Sequence, residues 1–477
     1  MKAPFSPYLT GIRGGLGELI AMLRRDFDYV SVLATDSTGL ALSISRHSKA
    51  VRSNTMTTER GVVVRLYKDG RYCEYALNRF DPAAPETAYR QIKEAVEAQE
   101  ALLKAVGTEY YPTGCLDDEP LTLFVEKETG QLPETADVKA LVRKLTAVSD
   151  SGMAADPAIV ECIVSAQSTH ICKMFLTQNR DLRQSYVYSE GAVIAVAMKD
   201  GENRTDYEAV SGLCGPELFD SLEDKAAAAA AQAVKLLSAQ RIEPGEYEII
   251  ASPEVTGLIA HEAFGHGVEM DMFVKNRALG KDYIGKRVGS GLVTMHEGAL
   301  CAENVTSYAF DDEGTPAGDV IEIENGILKA GICDALSALR LGTVPTGNGK
   351  RENFEHKVYT RMTNTVFDSG TDSLEDMIAS IEHGFLLEGM QSGMEDPKHW
   401  GIQCILNLGR EIKNGKFTGR VVSPIIMTGY VPDLLGNITM LSPHREIFGS
   451  GGCGKGHKEW VKVADGGPYL KTKARLG

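Results

Sequence analysis

Between Glu254 and Asp271 the chain reads EVTGLIAHEAFGHGVEMD. The apolar run Val255, Leu258, Ile259 and Ala260 has the spacing of a buried helix. At its end His261, Glu262 and His266 fall within six residues. Two imidazoles and an adjacent carboxylate are what a hydrolytic metal site asks of one helix: two neutral nitrogen ligands and a base for the attacking water. The spacing is one residue longer than usual. In HExxH the histidines lie roughly 40° apart around the helix, whereas HExxxH sets them roughly 140° apart, too wide for one ion. A chain that uses this motif must therefore insert a π-turn, or end its helix at Gly265 and bring His266 back from a turn. Gly265 and Gly267 ease either solution. The competing reading is a helix that happens to carry two surface histidines, and spacing alone does not separate the two.

A catalytic zinc takes three protein ligands, so one more has to come from elsewhere. His296, Glu297, His356, His383, His399, His444, Cys453 and His457 are all available. Cys453 stands out because it lies in GSGGCGKG, residues 449–456, a loop with so little side-chain bulk that its backbone can approach a metal closely. Lys455 is expected to lower the thiol pKa. The same loop matches a phosphate-binding loop through Gly449, Gly454 and Lys455, but Gly456 stands where that motif needs Ser or Thr, which argues against a nucleotide site.

Composition narrows the function classes. A net charge of −15 opposes general nucleic-acid binding, which depends on Lys and Arg neutralising phosphates. No apolar run reaches transmembrane length, and MKAPFSPYLTGIRGG at the amino terminus has no signal-peptide core. Nine scattered cysteines do not form a disulfide framework, so a reduced, cytoplasmic protein is expected.

In chain order, Ser6 to Phe27 reads as an amphipathic helix, and Tyr29 to Leu77 as antiparallel strands with a hairpin at Asp69-Gly70. Helix period returns from Thr87 to Val106 and from Asp137 to Ser149, the latter with Thr135 as the expected N-cap. Strands follow over 158–198, then an alanine-rich packing helix within 220–240. The helix–strands–helix order thus occurs twice. The expected class is α+β: an amino-terminal helix and antiparallel-sheet domain at 1–240, one unit or two similar halves at about 1–115 and 130–240. A β-dominated domain carrying the motif helix follows at 241–477, the break falling at RIEPG. Asn325-Gly326 and Asn414-Gly415 predict hairpins, and only 374–381 and 431–438 look helical after the motif.

With HEAFGHGVEMD, GSGGCGKG, DDEGTPAG (311–318) and RMTNT (361–365) in place, the chain resembles the TldD/PmbA family of metalloproteases over essentially its full length, and within it the TldD branch. The resemblance implies Zn²⁺ held by His261, His266 and Cys453, with Glu262 as general base. It also implies unfolded peptide substrates and a two-subunit assembly, either a homodimer or a heterodimer with a PmbA-like paralogue. Arg361 and Asn364 of RMTNT are candidates for substrate binding. One departure is His457-Lys458 after the glycine-rich loop, where the family pattern has other residues. The alternative function is a catalytically silent regulatory subunit of the same fold; the intact Glu262 speaks against it.

Overall fold

The computed structural model describes residues 1–107, 111–456 and 459–477; His457 and Lys458 lie outside them. The chain is α+β, with its strands in two large sheets. The first has eight strands, all within 29–212. Its centre is formed by three long antiparallel strands, Tyr29–Ile44, Ile159–Leu176 and Arg180–Lys199. The hairpin at Asp69-Gly70 forms as expected: both residues take positive φ, 50° and 78°, the geometry of a tight turn between right-twisted strands.

Strand alternation sorts the two faces of this sheet. Val30, Val32 and Ala34 pack under the helices Pro7–Leu23 and Pro85–Ala105. Leu40, Leu42 and Ile44 pack under Val138–Ala154 and Lys225–Leu236. All four helices thus cover one face. The opposite face meets the carboxy-terminal half through the stretch DDEGTPAG. Phe175 and Leu33 pack on Phe310, Gln184 exchanges hydrogen bonds with Ala309 and Phe310, and Lys173 and Arg65 pair with Asp312 and Glu313. Asp311, whose oxygens accept from the backbone amides of Glu313, Thr315 and Gly349, organises this turn.

The second sheet has eleven strands within 245–476. Five of them close into a barrel. Gly245–Ala251 pairs in parallel with His383–Asp396, which pairs with Gly401–Lys413, then Ile425–Tyr430, then Ala464–Leu476, which returns to Gly245–Ala251. Closure removes the open edges that such a sheet would otherwise present. Both Asn-Gly hairpins form, with Asn325 and Asn414 at φ 50° and 48°.

The helix Pro253–Ala260 is enclosed: all but Glu254 of its residues are buried. Ser252 caps it, and Pro253 occupies its first turn, where a missing amide costs nothing. Its approach to the strand Ala464–Leu476 is set by glycines on both partners. A methyl group at Gly257 would lie 2.5 Å from Oδ1 of Asp465, and one at Gly467 would lie 2.5 Å from Thr256. Two local expectations are corrected. Asp137, not Thr135, caps the helix Val138–Ala154, because Thr135 is taken up in a 3₁₀ turn. A helix at Ala335–Leu341, between the Asp334 cap and Gly342 in the left-handed region, interrupts the strands after the motif. Among the described residues no helix is long and apolar enough to cross a membrane.

Candidate metal centre

The enclosed helix does not stop at Ala260. Residues His261–Gly265 form a π-turn, in which the amide of His266 donates to the carbonyl of His261, and a 3₁₀ turn follows at His266–Val268. The five-residue repeat of the π-turn turns two histidines at i, i+5 toward each other, as α-geometry does for i, i+4. Their ring centroids lie 5.1 Å apart. Gly265 leaves room for Met362: a methyl group there would lie 2.2 Å from its Sδ.

Cys453 arrives from the far end of the chain. Gly452–Lys455 pairs with Glu459–Lys462 as a short hairpin, with Cys453 opposite Val461. Its side chain packs among Ile332, Met362, Val461 and Val463. One donor atom each from His261, His266 and Cys453 lies within 4.8 Å of the others, and Sγ of Cys453 is 3.2 Å from Nε2 of His266. Nδ1 of His266 meets Oε2 of Glu269 at 3.1 Å. That contact favours a proton on Nδ1 and turns Nε2 toward the cysteine sulfur as the candidate ligand atom. Nδ1 of His261 is buried without a hydrogen-bond partner among the described residues, 3.9 Å from Asp465.

The charges reinforce one another. Burial pushes the Cys453 thiol up, but His266 and His261 pull it well below its ordinary value. Burial pushes His261 down, and the Cys453 sulfur lifts it to about 9. His266 is likewise raised, by Cys453 and Glu269 against its burial. Lys455 does not act on the thiol as expected. It pairs with Glu269 at 3.0 Å and Asp271 at 2.7 Å, and against burial it draws Glu269 down to about 2. The donor set of two imidazoles and a stabilised thiolate, with one imidazole nitrogen unpartnered, fits a zinc ion.

Glu262 sits beside these donors, 7% exposed. Its neighbour across the barrel wall is Gly393, where a methyl group would lie 2.4 Å from Cγ and 2.7 Å from Oε1 of Glu262. Arg361 and Asn364 are engaged inside the fold. Arg361 donates to the carbonyls of Cys453 at 2.7 Å and Glu459 at 3.1 Å, so it anchors the cysteine hairpin. Asn364 donates to Gly298 and Ala302 and accepts from Thr306. His296 and His444 pair with Asp319 and Glu446. Sequence reasoning missed Glu269, Asp465 and Glu395. The spacing of His266 to Glu269, i to i+3, was a readable signal for the first; the other two are brought in by strand pairing alone.

The chain is similar to known metalloproteases. Residues 244–471 match the family model described as the PmbA/TldA metallopeptidase C-terminal domain. A metalloprotease of Methanocaldococcus jannaschii is 32% identical over 281 residues, 59% of this chain and 61% of its own length. A metalloprotease of Synechocystis sp. is 27% identical over 472 residues, 98% of each chain. A zinc metalloprotease TldD homolog of Saccharolobus solfataricus is 31% identical over 232 residues, 48% of this chain and 51% of its own. The crystal structure of TldE from Thermococcus kodakarensis superposes with a TM-score of 0.78 at 17% identity, covering 97% of this chain and 100% of that one, a likeness of fold. With its π-turn histidines and glycine-rich cysteine hairpin inside the matched region, the segment 244–471 belongs to the PmbA/TldA metallopeptidase C-terminal domain family.

Proposed function

We propose that the chain is a zinc-dependent peptidase acting on unfolded or extended peptides. His261, His266 and Cys453 hold the ion, and Glu262 is the general base. The observation that carries this reading is the convergence of three donors on one point, His261 and Cys453 buried and His266 half-buried, beside the buried carboxylate of Glu262, for which no ion pair occurs among the described residues. Zinc in such a site supplies Lewis acidity toward a carbonyl oxygen and lowers the pKa of water. The protein's own residues do the rest. Glu262 takes the proton of the attacking water and returns it to the leaving amine. Glu269 holds the His266 ring in the tautomer that frees Nε2, and Arg361 fixes the backbone of Cys453. Burial of Cys453 and His261 excludes competing water from the donor side. The name of the Saccharolobus relative supports zinc over other divalent ions.

We also infer a division near residue 241 between an amino-terminal α+β domain and the catalytic domain, and pairing with a second subunit, a copy or a PmbA-like paralogue. Met394, Ile426 and Tyr430 support the pairing. They are exposed and share one outward face of neighbouring barrel strands, an apolar patch of the kind that partners cover. Nine free cysteines support a cytoplasmic location.

The test is peptide hydrolysis by Glu262→Ala with zinc content measured on the same preparation. The variant is expected to keep its zinc and lose about 100- to 10,000-fold in rate. Full cleavage with zinc retained would remove Glu262 from the chemistry, and the silent-subunit alternative is favoured if the zinc-loaded parent cleaves no peptide.

A further inference from the structure

The long barrel strand His383–Asp396 brings a second carboxylate to the centre. Gly393 and Glu395 are two residues apart on a strand and so share a face. That face looks at the motif turn from both ends. Gly393 touches Glu262, and a methyl group at Gly267, next to His266, would lie 3.2 Å from Oε1 of Glu395. Both carboxylate oxygens of Glu395 are buried, and neither has a hydrogen-bond partner among the described residues. Among the described residues no cation forms an ion pair with it: His266, whose charge reaches it, is committed to Glu269 and Cys453, and Lys455 to Glu269 and Asp271. A second partnerless group stands beside it. The indole Nε1 of Trp400, also buried and unbonded, lies 3.8 Å from the same point at Gly267.

A buried carboxyl group without a counter-charge is costly to ionise unless a ligand supplies one. In a site that holds peptides, a cation is available next to the reacting bond at the chain's free amino terminus. The α-ammonium lies one residue from the first peptide bond, and Gly393 and Glu395 are separated by only about 7 Å of strand. We propose that Glu395 receives the α-ammonium of the substrate, so that the site removes residues from the amino end of a peptide. This rests on the peptidase reading above. Glu262 then acts on the first peptide bond, and Glu395 selects for a free amine.

The experiment compares a free-amine peptide with its N-acetylated twin, using the zinc-loaded full chain and its Glu395→Gln variant. Binding of leucinamide and N-acetyl-leucinamide is measured in parallel by calorimetry. Acetylation is expected to lower kcat/KM about 10- to 100-fold in the parent protein, the weight of one charge-assisted hydrogen bond. The same factor is expected to shrink to near unity in Glu395→Gln, mainly through KM, with zinc content unchanged, and leucinamide is expected to lose its advantage over the acetylated amide. Equal cleavage of both twins by the parent would overturn the amine site and leave the peptidase reading standing. Cleavage of neither by zinc-loaded protein would overturn the peptidase reading and the amine site with it. A Glu395→Gln protein that still discriminates the twins, or the two amides, would also overturn it. Should Glu395→Gln fail to fold, the parent's own acetylation ratio and amide binding decide the question.

Discussion

Two buried histidine clusters in this chain look alike in composition and differ in what they leave open. In the first sheet His170 lies beside Cys172, Glu134 and Ser185; in the barrel His261 and His266 lie beside Cys453, Glu262 and Glu269. Around His170 both ring nitrogens are occupied, by Glu134 at 2.7 Å and Ser185 at 2.8 Å, and the thiol of Cys172 is spent on His170 and the carbonyl of Pro4. That cluster pins the amino-terminal segment to the sheet. Around the barrel histidines Nδ1 of His261 and both oxygens of Glu395 have no hydrogen-bond partner among the described residues. Folded proteins satisfy buried polar groups, so groups left unsatisfied around one turn of the chain point to something else that binds there. Residue type alone does not separate the clusters; hydrogen-bond saturation does.

The largest expected effect that would break this contrast is on metal binding. His266→Ala should weaken zinc by at least about 100-fold, whereas His170→Ala should leave zinc affinity unchanged. Competition with a chromophoric chelator measures both, and equal losses would erase the distinction. Next comes the wall behind the base. Gly393→Ala places a methyl group inside the space of the Glu262 side chain, so peptide hydrolysis should fall about 10- to 100-fold with zinc content intact. An unchanged rate would mean that Glu262 has another place to stand. The smallest effect is a pH signature in stability. Burial pushes His170 down, but contacts with Cys172 and Glu134 lift it to about 9. Its folded pKa lies above its unfolded value near 6.5. The stability it contributes is therefore complete below about pH 6.5 and is lost as pH rises through about 9, by at most about 3 kcal/mol. Urea unfolding of the parent and of His170→Ala at pH 6 and pH 9 should show a larger loss in the parent, by up to that amount, and equal losses would remove His170 from the slope.

Much of the architecture was legible because local chemistry and global fold agree. Each Asn-Gly or Asp-Gly pair sits between alternating runs and forms its hairpin. The extra residue in His261–His266 demanded one of two local solutions, and the π-turn is one of them. The helix at Ala335–Leu341 carried a readable Asp cap and terminal glycine, yet it is short and set among strand-like runs. What the sequence hid depends on distance along the chain. Lys455 is two residues from Cys453, but its ammonium turns to Glu269 and Asp271, nearly two hundred residues away in sequence. Glu395 reads as one more polar position in a strand. Only barrel closure sets it against the motif turn, and no local pattern encodes that.

The most direct test of the central claim is the zinc X-ray absorption spectrum of the full chain. A first shell with one sulfur at about 2.3 Å and two imidazole nitrogens at about 2.0 Å is the predicted result, with the sulfur lost in Cys453→Ser. A shell of nitrogen and oxygen alone in the parent protein would contradict it.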